Sequence, residues 1–116
     1  MLTVYRKENS IDKDVAYEVL INGCFMGKIN NGEKITIDMK DRDKLNFTLS
    51  DELVLKMQIV SPTHKSAEIQ FDYEDHQTVE FECEANYTEG LFGKIIDSLS
   101  NKSGIKLEKT KDFILY

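Results

Sequence analysis

The sequence predicts a mainly β chain, an antiparallel β-sandwich of roughly seven to eight strands with one C-terminal α-helix. Three observations carry that expectation. Apolar side chains recur at alternate positions over most of residues 15–85, two Asn-Gly steps separate the first three runs, and the spacing lengthens to that of a helix after Asn86.

The clearest strands lie early. Val15, Tyr17, Val19 and Ile21 occupy odd positions, which a pleated strand sends to one face. Asn22-Gly23 tolerates positive φ, so the chain reverses there and returns through residues 25–29. Asn30-Asn31-Gly32 marks a second reversal, and Ile35, Ile37 and Met39 resume the odd-numbered alternation. Ahead of this meander, residues 2–6 form a short first strand and the polar residues 7–13 a loop.

Beyond the meander the alternation continues in Leu45, Phe47 and Leu49, then in Leu53, Leu55, Met57 and Ile59. Ser61-Pro62-Thr63 ends that run, because proline removes a ladder donor. Ile69, Phe71 and Tyr73 follow, then Val79, Phe81, Cys83 and Ala85. The even positions between them are polar, which is the pattern of an antiparallel sheet with one wet face. An all-parallel sheet needs crossover helices for which the chain has no room. An open sheet covered by one helix is the alternative architecture.

Phe92, Ile95, Ile96 and Leu99 stand at i, i+3, i+4 and i+7 and share one helical stripe. Thr88 is the expected N-cap, Glu89 suits the positive end of the helix dipole, and Gly104 can end the helix, which places it over residues 88–103. The remainder, residues 104–116, reads as a tail with a short strand at 105–107 and the apolar end Phe113-Ile114-Leu115-Tyr116. That end must pack on the domain, bind something, or be the stump of a longer protein.

Composition narrows the function. At 116 residues the chain is expected to be a single domain, residues 1–116, with the sandwich in 1–86. A net charge of −6 and a pI near 4.9 disfavour binding to nucleic acid or anionic membrane. No apolar run approaches the roughly 20 residues of a membrane span, and the N-terminus lacks a secretory pattern, so the expectation is no membrane insertion and a cytoplasmic location. Cys24 and Cys83 are too few for a disulfide framework and read as thiols. No cofactor motif is present: the hairpin glycines do not sit between a strand and a helix N-terminus. His64 and His76 lack a nucleophile motif, so an enzyme is not expected.

Two charged regions are candidate sites. If successive strands alternate strictly in direction, Asp12, Asp14, Asp51, Glu52, Glu74, Asp75 and His76 fall at one end of the sandwich. Such carboxylates are candidate Ca²⁺ ligands, a hard cation wanting six to eight oxygens, although charged loop tips are the ordinary alternative. The other region is acidic throughout from Glu68 to Glu89, with Glu80, Glu82 and Glu84 on the outward face of one strand. Together with Phe113 and Tyr116 they are candidate contacts for a protein partner, a basic one where the glutamates are concerned. The bland reading is a solvated face partly neutralised by the basic C-terminal third, with Lys94, Lys102, Lys106, Lys109 and Lys111.

Ile21-Asn22-Gly23, Gly27-Lys28-Ile29 and Asn31-Gly32-Glu33, followed by Ile35 and Ile37, resemble the hairpin of bacterial β-sandwich modules of the PEGA-like kind. Val79-Glu80-Phe81-Glu82-Cys83 is similar to their closing strand. The likeness covers residues 15–85. It departs at Asp41-Arg42-Asp43, where those modules carry a proline-glycine turn, and in the helical C-terminus. It implies a sandwich with a non-catalytic surface role and carries over no functional residue. The expected function is a non-catalytic protein-binding module that can also self-associate. The alternative is a carrier holding a small apolar ligand between sheet and helix.

Overall fold

A computed structural model describes residues 1–37, 54–73, 77–87 and 104–114. Among them run nine strands: β1 (Leu2–Arg6), β2 (Tyr17–Ile21), β3 (Cys24–Ile29), β4 (Lys34–Ile37), β5 (Val54–Val60), β6 (Lys65–Ser66), β7 (Ile69–Asp72), β8 (Gln77–Asn86) and β9 (Gly104–Ile114). They join one sheet in the order β3-β2-β5-β6-β9-β8-β1-β4, with β7 beside β5. The ends of this path meet where Gly27 of β3 lies against Ile35 of β4. A Cβ at Gly27 would collide with the Ile35 side chain. The sheet thus curls into a nearly closed, barrel-like form.

This corrects the expected antiparallel sandwich. β1 pairs with β8 in parallel, Leu2 opposite Val79 through Arg6 opposite Cys83, and β6 pairs with β9 in parallel. The other ladders are antiparallel. Alternation identifies which side chains face inward, and it is the same whichever way a neighbouring strand runs. The N-terminal strand therefore settles beside a strand more than 70 residues away with no trace in the local pattern. No helix occurs among the described residues. The expected helix over 88–103 and the expected strand around Leu45, Phe47 and Leu49 lie outside them.

The odd-numbered hydrophobes do line the interior. Tyr17, Val19, Ile21, Ile29, Leu55, Met57, Ile59, Val79, Phe81 and Cys83 are almost wholly buried, and Phe71 meets Phe81 edge to face at 5.0 Å. Phe25 is the exception at 56% exposed. A bulge shifts the β2–β3 register between Val19 and Leu20, so Phe25 pairs with Leu20 and not with an inward residue. In β1 the inward parity is even: Leu2 and Val4 are buried, and Arg6 follows them to 3% exposure.

The tail reading of residues 104–116 is also corrected. Residues 104–114 form one eleven-residue strand that pairs with β8 along its whole length. Its sequence hides this for two reasons. Its inward positions 109 and 112 are Lys and Asp, and a bulge at Thr110 puts Lys109 opposite Phe81 and Lys111 opposite Glu80, which breaks the period of two.

Candidate interaction surface

The sheet register builds the outward face. Glu80, Glu82 and Glu84 alternate with the buried Val79, Phe81 and Cys83, so they stand in a row on the outside of β8. β1 flanks that row on one side and β9 on the other. Lys7 Nζ lies 2.7 Å from Glu82 Oε1, Lys111 Nζ lies 3.7 Å from Glu80 Oε2, and Lys106 is the cross-strand partner of Glu84. The hydrogen bond and charge of Glu82, helped by Glu84, raise the Lys7 pKa. The acidic row is thus interleaved with lysines from its two neighbours, an exposed ladder whose individual pairs contribute little to stability.

β9 has two different sides. Toward β8 it is fully laddered. Toward β6 it pairs only at Gly104 and Ile105, so residues 106–114 have no hydrogen-bonded strand on that side among the described residues, although β5 and β7 come close to β9. Side chains from 108 onward are exposed on both faces, Phe113 at 44% and Ile114 at 37%. Asp112 is held at two points: Gln77 Nε2 donates to its Oδ1 at 2.5 Å and Lys109 Nζ donates to its Oδ2 at 2.9 Å. Those two contacts lower the Asp112 pKa. The Gln77 amide also donates to the Asp72 carbonyl at 3.1 Å, tying β9 to the end of β7.

Of the candidate Ca²⁺ ligands, Asp12 and Asp14 lie among the described residues. Asp51, Glu52, Glu74, Asp75 and His76 lie outside the described residues, as does Tyr116. Asp14 is exposed. Asp12, at φ 59°, turns its carboxylate inward, where it accepts from the Tyr17 hydroxyl at 2.7 Å and from the Tyr87 hydroxyl. Among the described residues no three His, Cys, Asp or Glu side chains converge as a metal site.

Around Asp12 sits a polar cluster that includes a residue the alternation pattern passes over. The Arg6 guanidinium donates to the carbonyls of Val15, Ile29 and Asp12 at 2.6, 3.0 and 2.7 Å. The only hint in the sequence is that Arg6 is in phase with Leu2 and Val4. His64 stacks on Tyr87 at 4.1 Å and its Nδ1 lies 2.8 Å from Thr63 Oγ1. The hydroxyls and guanidinium point at groups that fold the loop of residues 7–16 over the barrel end, an arrangement that fixes the loop. An open cleft of about 740 Å³ beside β1 is walled by Tyr5, Lys7, Glu8, Lys34 and Glu82, a charged lining unlike that of an apolar-ligand site.

Comparison with protein-family models, with curated proteins and with solved structures found no match. No helix among the described residues is long and apolar enough to cross a membrane.

Proposed function

We propose that this chain is a non-catalytic binding module that takes a protein partner by strand addition along the outer side of β9. The observation that carries this reading is the one-sided pairing of residues 106–114. A strand laddered on one edge only presents unpaired N–H and C=O groups in a row, a template for another extended segment. Main-chain hydrogen bonds supply affinity in that mode, and the exposed Phe113 and Ile114 add apolar contact area at the end of the strand.

The acidic row joins this surface and does not stand as a separate one. Glu80 and Glu84 face β9 lysines across the ladder, so a basic partner would have to displace Lys111 and Lys106 to reach them. The edge offers its hydrogen bonds without such competition.

Cross-linking of the native protein with a lysine-reactive reagent, read by mass spectrometry, tests the proposal. Intermolecular links are expected to concentrate on Lys106, Lys109 and Lys111. Links concentrated on Lys28 and Lys56, on β3 and β5, overturn it.

A further inference from the structure

The charge pattern of β9 is self-complementary, and we infer that the segment it takes up is β9 of a second copy of the chain, antiparallel about a two-fold axis at Lys111. The inference rests on the edge reading above and names its occupant.

The register with β8 sorts the side chains of β9. Opposite the buried Cys83, Phe81, Val79 and Gln77 stand Leu107, Lys109, Asp112 and Ile114, which share the inner side. Opposite Glu84, Glu82, Glu80 and Thr78 stand Lys106, Glu108, Lys111 and Phe113, which share the outer side. A two-fold copy in the same sheet must set inner beside inner and outer beside outer, and a residue on the axis must face itself. With the bulged Thr110 passed over in both copies, few registers remain.

Centring on Glu108 or Asp112 sets like carboxylates face to face, and centring on Leu107 requires Gly104 and Ile105, which β6 already uses. Centring on Lys109 sets Glu108 against Lys111, but also Leu107 against Asp112 and Lys106 against Phe113. Centring on Lys111 sets Lys109 against Asp112 twice and Leu107 against Ile114 twice, with Glu108 against Phe113 as its one mismatch. The one like pair, Lys111 with itself, has Glu80 of each copy beside it, at 3.7 Å within the chain. Opposite charges and apolar pairs directly across an antiparallel ladder stabilise it, and like charges weaken it. The Lys111 register is therefore the one this sequence favours. It also answers the usual function of edge lysines, which is to repel other strands. Here Lys109, bonded to Asp112 of its own chain, exchanges that carboxylate for the equivalent one in the copy that approaches.

The test joins residue-specific cross-linking to sedimentation. In a Cys24→Ser background, Lys111→Cys is expected to form a disulfide-linked dimer under mild diamide oxidation, since the residue faces itself. Lys106→Cys is not, because the two copies of residue 106 would stand about 27 Å apart at roughly 3.4 Å per residue. By sedimentation equilibrium the unmodified chain is expected to dimerise with concentration. Lys109→Asp is expected to weaken the dimer about tenfold or more, since two symmetric pairs become repulsive, and Lys109→Asp with Asp112→Lys to restore it. A chain that stays monomeric at millimolar concentration overturns the second copy as occupant. If the outward amides of residues 106–114 exchange rapidly in that monomer, the edge reading survives. If they are protected in it, both readings fall.

Discussion

The Arg6 guanidinium lies over the Tyr17 ring, its central carbon 3.7 Å from the ring centroid, with both residues buried. A charge in the interior is tolerated when its donors are used, and here three main-chain carbonyls accept from it while the ring supplies a π face. Arg6→Met keeps the apolar stem and removes the donors, leaving carbonyls of Val15, Ile29 and Asp12 short of partners. The expected loss is about 3 kcal/mol of unfolding free energy by urea titration. A loss under about 1 kcal/mol would show that Arg6 does not hold the loop.

Asp12 joins two tyrosines from distant parts of the chain. Tyr17→Phe and Tyr87→Phe are each expected to destabilise by about 1–2 kcal/mol, since each removes a hydrogen bond to a carboxylate. Because both act on one carboxylate, the double variant should depart from additivity by about 0.5 kcal/mol or more. A strictly additive cycle would mean that the two hydroxyls do not share it.

The two thiols are expected to differ sharply. Burial pushes the Cys83 thiol up to about 12, whereas Cys24 is half-buried beside the β2–β3 turn. Thiolate is the reactive form, so a disulfide reagent at neutral pH should label one cysteine per native chain, at Cys24. Labelling of Cys83 should wait for unfolding, which peptide mapping with and without denaturant reads directly.

Asp112 gives stability a dependence on acid. Gln77 and Lys109 hold its folded pKa below the ordinary 3.8, so its contribution is fully present above that value and is lost as pH falls through the folded one. Melting temperatures of the native chain and of Asp112→Asn should differ at pH 6 and converge as the pH is lowered past the ordinary carboxylate range. A difference that persists unchanged into strong acid would contradict the assignment.

Gly104 begins β9 at φ 93° and packs against the His64 ring, which a Cβ would overlap. Gly104→Ala is expected to cost about 2 kcal/mol or more through backbone strain and displacement of the ring from Tyr87. Urea unfolding measures it, and Gly23→Ala, at φ 79° in open space, separates the strain from the collision.

What the sequence shows, and what it hides, follows from which interactions are local. The inward set Tyr17, Val19 and Ile21, with Leu55, Met57 and Ile59, is legible because pleating imposes a period of two wherever one face is buried. The Asn22-Gly23 turn is legible because residue 22 adopts φ 51° and residue 23 φ 79°, conformations few other residues accept. The parallel seating of β1 on β8 leaves no local trace, since Leu2 and Val79 would look the same in any sheet. β9 is hidden by its own chemistry: Lys109 and Asp112 hold inward positions at an edge where water still reaches them, and Thr110 interrupts the count. Arg6 shows how a period can be read too selectively, for the parity that buries Leu2 and Val4 applies to it as well. Of the candidate surface, Glu80, Glu82 and Glu84 are visible as an outward row, but the lysines interleaved with them come from strands whose neighbourhood only the fold defines.

Residue-resolved amide hydrogen exchange over residues 106–114 bears most directly on a β9 that is paired on one side and open on the other. In dilute solution the amides directed at β8 should be protected and those directed away should exchange at close to solvent rates, alternating along the strand except at Thr110. Uniform protection of the whole segment in a dilute monomer would mean that the outer side is already occupied, and would contradict the proposed binding edge.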